Sequence, residues 1–327
     1  MELPRRKFLH LAAGAAALPA VSCIQRARAQ DYPAKPVRII THSAPGGAAD
    51  ALLRIVADRL SQSWGHQVVV LNYPGAGGAV AARAAAAATA DGYTLYMPAS
   101  SAFVTLSGLQ ANLPLELPRD FVPIGFVALQ PFLLSVAASL SAKTLPELIA
   151  LAKQKPGELS YATTGRGTLT HLTGEALQQR AKIKLLMVPL GGTSQALSDV
   201  ISGRVSMIID GYPPLAGPLQ AGSVRALAVG STKRLPDFPD LPTVAETLPG
   251  FSPGGWLALV APAGPPDAVV HRLSDDLRKA VLDPTTRTKL ETTGNYPNPM
   301  SPSELLAFIQ AEQKTWKPVM EEIVRNP

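Results

Sequence analysis

Three stretches of this chain carry residues whose types and spacing suit one kind of chemistry. They are Pro45-Gly46-Gly47, Thr163 to Thr168 (Thr-Thr-Gly-Arg-Gly-Thr) and Gly191-Gly192-Thr193-Ser194. Each is small, rich in glycine or hydroxyls, and placed between a β-branched run and a helical pattern. The start of a helix offers unpaired N–H groups and a partial positive charge, which makes it a ready place for an anion. Glycine lets a backbone approach a ligand closely, and Ser and Thr add donors. The chemistry is therefore non-covalent capture of a small anion.

Catalytic signatures are missing. There is no Gly-x-Ser-x-Gly elbow, no His-Glu-x-x-His and no phosphate-loop lysine. The histidines at 10, 42, 66, 171 and 271 are scattered without metal-ligand spacing. Gly165-Arg-Gly167 meets Thr170 where a dinucleotide fingerprint needs its third glycine. Asp50 and Asp210 could serve as an acid–base pair only if the fold brought them together. The residues favour a binding protein over an enzyme, with no cofactor and no metal.

The elements that must position these loops follow from periodicity. Val37–Thr41, Gln67–Leu71 and Tyr93–Met97 read as strands. Between them lie a helix with Leu52, Ile55, Val56 and Leu60 on one face and an Ala-rich helix ending near Ala88. The rhythm restarts at Thr144-Leu-Pro-Glu147, a capping box with proline in the first turn. Strands then follow near 159–161, 185–188, 205–209 and 225–229, with helices ending near 180 and 201. A tail adds a strand at 256–261, helices over 268–281 and 285–292, and a final helix opened by Ser301-Pro-Ser-Glu304 and ending near 323. Strand–helix alternation of this kind builds mostly parallel sheets flanked by helices. In such sheets ligands bind beyond the carboxyl ends of the strands.

Composition limits the alternatives. At 327 residues the chain exceeds what one core usually fills, so two lobes are expected. A single cysteine excludes a disulfide framework and a Cys-rich metal site. The formal charge is +6, but Arg5, Arg6, Lys7, Arg26 and Arg28 against Glu2 place +4 of it in the first 29 residues. The remaining +2 gives no basic stripe for nucleic acid. Arg5-Arg6-Lys7-Phe8-Leu9 followed by a short run of small apolar residues reads as an export signal of the twin-arginine type, spanning 1–29. Ala27-Arg28-Ala29 fits a cleavage site. Ala20-Val-Ser-Cys23 resembles a loose lipoprotein box, so Cys23 is either removed with the leader or acylated. A periplasmic location follows on both readings, and no later stretch is expected to span a membrane.

These residues also resemble a family. Tyr32-Pro-Ala-Lys-Pro-Val-Arg-Ile-Ile40, Ala44-Pro-Gly-Gly47 with Asp50, and Asn72-Tyr-Pro-Gly-Ala-Gly-Gly78 are similar to solute receptors of the tripartite tricarboxylate transporter class, the Bug family of periplasmic binding proteins. Asp91-Gly-Tyr-Thr-Leu95, Tyr161 to Thr168 with His171, and Leu241-Pro-Thr-Val-Ala-Glu246 extend the match along the chain. The resemblance implies a two-lobed α/β fold of the type II-like binding-protein kind with two crossing segments. Lobe 1 would be 30–129 plus 230–327 and lobe 2 would be 130–229. It implies capture of a small carboxylate (a di- or tricarboxylate, an acidic amino acid or an aromatic acid) by a monomer that delivers it to membrane permease subunits. A ligand-presenting role in a signalling system is the alternative, and an exported hydrolase a more distant one.

By the same resemblance the ligand contacts fall at Ser43, Gly46, Gly47, Ser100, Thr163, Thr164, Thr168 and Asp210. Asp50 would brace its loop, and His171 would stand behind the contacts. The chain departs from the family at His42-Ser43-Ala44, at Arg166 and at Leu190. Arg166 is either a further ligand contact, pairing bidentately with a carboxylate, or a solvent-facing residue at the rim.

Overall fold

The computed structural model describes residues 32–106, 113, 115–163, 165–190 and 192–325. The export signal with Cys23, and the loop residues Thr164 and Gly191, lie outside the described residues.

The first half runs β1 (Val37–Thr41), α1 (Ala48–Trp64), β2 (Val68–Asn72), α2 (Ala79–Ala86), β3 (Thr94–Met97) and β4 (Phe121–Pro131). The second runs β5 (Leu133–Ala137), α3 (Leu145–Gln154), β6 (Ser160–Thr163), α4 (Leu169–Ala181), β7 (Leu186–Pro189), α5 (Thr193–Ile201), β8 (Met207–Asp210), α6 (Tyr212–Gln220) and β9 (Val224–Val229). The tail holds α7 (Val244–Thr247), β10 (Gly254–Pro262), α8 (Asp267–Leu282), α9 (Pro284–Glu291) and α10 (Pro302–Arg325).

Two five-stranded sheets result, in the orders β2-β1-β3-β10-β4 and β7-β6-β8-β5-β9. The orders are equivalent. In each, three parallel strands from a βαβαβ unit are followed by one antiparallel strand and then an edge strand. The antiparallel member is the strand reached after the chain crosses from the other sheet: β5 directly after β4, and β10 after β9. This is a two-lobed α/β binding-protein fold, as the periodicity and the resemblance predict.

The crossings meet at one point. Gly230 donates its N–H to the Phe132 carbonyl at 2.7 Å, and Phe132 donates to the Pro253 carbonyl at 3.2 Å. The crossing strand β4, β5 and helix α6 are absent from the sequence reading. β4 carries prolines at both ends of its run, and α6 contains Pro213, Pro214 and Pro218. Proline is tolerated in a helix's first turn, where its missing N–H has no partner to lose.

Capping explains where several helices begin. Thr144 accepts from the Glu147 N–H at 3.3 Å, but the Glu147 carboxylate returns to Lys143 N rather than to the cap residue. Ser301 and Glu304 cap α10 reciprocally. One core packs α1 and α8 on the first sheet, with Leu52, Val56, Leu60, Leu273 and Leu277 all buried. A second core runs from Phe103, Phe126 and Trp256 through α10 to Tyr161 and Leu172 of the other lobe.

Candidate functional site

β1 and β3 are neighbours, with Thr41 opposite Met97, so the loops carrying Ser43–Gly47 and Ser100 leave adjacent strand ends. β6 and β8 are likewise neighbours, which sets Thr163 and Asp210 at adjacent ends in the other sheet. The described members of the predicted set thus follow the carboxyl ends of β1 and β3 in one sheet and of β6 and β8 in the other.

The first loop is held by a buried carboxylate. Asp50, whose side chain is 2% exposed, accepts the Gly46 N–H at 2.9 Å. Arg54 grips the same carboxylate through both oxygens at 2.9 and 3.0 Å, and Asn72 adds a donor at 2.8 Å. Asn72 also donates to the Ser43 carbonyl at 2.9 Å. Burial pushes the Asp50 carboxyl up, but the bonds from Arg54, Asn72 and Gly46 outweigh it and hold the group below its ordinary value. Asp50 therefore stands as an ionised brace. The Asp50–Asp210 pairing does not form within one site, since Asp50 is engaged by Arg54 and Asn72 in one lobe and Asp210 by Thr193 and Gly211 in the other.

Ser100 is buried and accepts the Trp256 N–H at 3.3 Å, which ties its loop to β10.

The second loop closes on itself. The hydroxyls of Thr163, Thr168 and Thr170 lie 3.0–3.1 Å from one another. Thr168 donates to the Gly165 carbonyl at 2.7 Å and caps α4 by accepting from His171 N. Buried His171 accepts the Gly167 N–H on Nδ1 at 3.0 Å, so its imidazole is neutral. Burial lowers its pKa, and Arg166 acts the same way against the opposing pull of Glu175. Glu175 in turn accepts the Tyr161 hydroxyl at 2.7 Å. Thr163 and Thr168 thus shape the loop with their side chains. Arg166 is exposed and, among the described residues, makes no hydrogen bond or ion pair. It lines a cavity of about 220 Å³ with His171, Glu175 and Gln179 on one side and Glu322 of α10 on the other.

Asp210 accepts the Thr193 hydroxyl and the Gly211 N–H, each at 2.7 Å. Burial raises its carboxyl above the ordinary range against both bonds.

Helix starts complete the site. α1, α2, α5 and α6 begin after Gly47, Gly78, Gly192 and Gly211, and no side chain caps any of the four. α1, α2 and α5 leave a strand's carboxyl end with first-turn amides unclaimed by a cap, an arrangement that suits oxygen anions, whereas in α6 Pro213 and Pro214 remove two of those amides. Arg54 and Thr193 are loop braces that the sequence alone does not announce. The Asp50/Arg54 spacing of four on a helix is a hint of the first, while Thr193 lies within a loop already singled out. Among the described residues no group of three or more His, Cys, Asp or Glu could hold a metal ion. No described helix is long and apolar enough to cross a membrane.

Comparison with known proteins identifies relatives of the whole chain. Residues 52–324 match the tripartite tricarboxylate transporter family receptor. The chain is 33% identical over 296 residues to protein BugT of Bordetella pertussis, covering 90% of this chain and 91% of that protein. Among solved structures, an R. palustris protein with adipate is 32% identical with a TM-score of 0.78, covering 89% of this chain and 98% of that one. MatC from Rhodopseudomonas palustris with bound malate is 29% identical with a TM-score of 0.73, covering 88% and 100%.

Proposed function

The chain belongs to the tripartite tricarboxylate transporter receptor family, and from that premise we propose that it captures a small carboxylate between its lobes and hands it to a membrane transporter. The observation that carries this reading is the set of three glycine-started, uncapped helices, α1, α2 and α5, at the strand ends. Their amides can solvate a carboxylate without a buried counter-charge, so capture and release need no proton transfer. The adipate and malate bound in the two R. palustris structures make a dicarboxylate the leading candidate.

In this reading residues 30–129 and 230–327 form one lobe and 130–229 the other. Residues 1–29 direct export to the periplasm. Gly47, the start of α5 and the backbone of the Thr163–Thr168 loop contact the ligand. Ser43, Gly46, Ser100, Thr163, Thr164, Thr168 and Asp210 complete its surroundings, with Gly46 and the described threonines holding shape as much as touching. Arg166, at the loop tip, supplies a guanidinium to a second carboxylate.

A thermal-shift screen of mono-, di- and tricarboxylates led by adipate and malate tests the function. A true ligand at about 100 times its Kd stabilises the fold by about 2.7 kcal/mol. Small-angle scattering should then show a smaller radius at saturation. A flat screen across all classes, or a bound acid with no compaction, would count against the reading.

A further inference from the structure

A cavity of about 360 Å³ lies at the hinge, where the end of β4, the stretch Gly230–Leu235, the start of β10 and helix α10 meet. None of the candidate residues at the strand ends lines it. One wall is apolar and aromatic, formed by Leu129, Trp256 and Phe308. The Trp256 ring is fixed there: its indole N–H donates to Glu312 at 3.2 Å, and its centroid lies 5.5 Å from that of Phe308.

The lining also includes Thr232, Lys233 and Ser252, all exposed. Two other charged groups at the cavity are already engaged. Arg234 grips Glu246 at 3.0 and 2.8 Å. Glu312 accepts the indole N–H of both Trp256 and Trp316 on one oxygen, and burial favours its neutral form. Lys233 differs, since among the described residues its ammonium has no ion-pair partner. The Ser231 hydroxyl donates to the Lys233 carbonyl and fixes the backbone beneath it.

An apolar cavity of this size with a few convergent polar groups is the usual form of a small-molecule site. We propose that the hinge cavity is a second binding site, separate from the one at the strand ends, for a compact aromatic monocarboxylate. The ring lies against Phe308 and Leu129, with Trp256 holding Phe308 in place, and the carboxylate meets the Lys233 ammonium and the hydroxyls beside it. The aromatic wall favours a flat ring over a flexible chain, and the single unpaired cation favours one negative charge over two.

Benzoate is the probe, applied to the mature chain by crystal soaking and titration calorimetry. Density for benzoate is expected in the hinge cavity with its carboxylate at Lys233. Lys233→Met keeps the aliphatic stem, removes the charge and should weaken binding roughly tenfold or more. Ser252→Trp fills the cavity mouth and should remove binding there. Thermal melts establish that both variants fold. An empty cavity at saturating benzoate, density confined to the strand-end site, or unchanged affinity in both variants would overturn the proposal. Because the readout lies at residues outside the strand-end site, failure of the screen for a carboxylate there leaves this test intact.

Discussion

Gly46 donates its N–H to the Asp50 carboxylate at 2.9 Å, so the glycine loop at the end of β1 is tied to the first turn of the helix it opens. Removing that carboxylate frees the loop and leaves Arg54 and Asn72 without their shared partner. Asp50→Ala should therefore lower stability by about 1–3 kcal/mol. The same bonds depress the folded-state pKa, so this contribution is complete above the unfolded value near ~3.9 and is lost as pH falls through the folded one. Asp50→Asn should accordingly flatten part of the acid limb in denaturant melts between pH 2 and 7. An unaltered acid limb would show that the charge is immaterial to the brace.

His171 serves the other lobe by accepting the Gly167 N–H, which only the neutral ring can do. Its folded-state pKa is lowered, so the protein loses stability as pH falls from about 6.5 toward the folded value. His42 is shifted in the same direction by burial, which is why the measurement must be a difference. His171→Asn keeps an acceptor near the position of Nδ1 and should be stable and less pH-sensitive than wild type. His171→Leu should lose the loop contact as well. Melts at pH 5 and pH 8 on all three proteins separate the two effects.

Thr193→Val removes the 2.7 Å donor to Asp210. The Asp210 carboxyl is already raised by burial, and without the hydroxyl it should rise further. A raised carboxyl binds a proton more readily when folded, so its contribution falls as pH climbs from the unfolded value toward the folded one. Carbon NMR titration of the Asp210 carboxyl should record the upward move, with about 1–2 kcal/mol lost at neutral pH.

Two glycines should differ sharply in their response to alanine. At Gly230 a Cβ would sit 1.6 Å from the Pro253 carbonyl oxygen, a backbone atom that cannot swing aside. Gly230→Ala should cost about 1–3 kcal/mol or more through displacement of the crossing segments. At Gly192 a Cβ meets nothing within 4 Å and the backbone is extended. Gly192→Ala should change stability by less than about 0.5 kcal/mol. Chemical denaturation of the two variants measures both.

Arg166→Ala addresses the loop tip. A guanidinium that meets a second carboxylate should make the loss larger for a dicarboxylate than for the monocarboxylate of the same skeleton, by roughly tenfold. Equal losses, or none, would assign Arg166 to its neighbours Glu175 and Glu322.

The elements that read clearly in the sequence are those with strong local signals. β1 was legible residue for residue from its β-branched run, and α10 from its reciprocal cap. β4 and β5 were not, because their identity depends on partners far along the chain: Leu257 opposite Ala128, and Ile209 opposite Leu134. No local pattern states such pairings. The site followed the same rule. Its glycines and threonines stood out by type, but the inward turn of Thr163, Thr168 and Thr170 toward one another depends on a turn geometry that composition does not encode.

The interleaving of the sheets also sets the order in which the molecule can be finished during synthesis. The first sheet holds β3 beside β10, joining Tyr96 to Val260. A nascent chain that has made its first hundred residues therefore carries an open strand edge until the last quarter emerges. Pairings this distant in sequence form slowly, and an open edge invites foreign strands. The half that starts first is thus completed last, and the second sheet, drawn entirely from residues 133–229, can close before it.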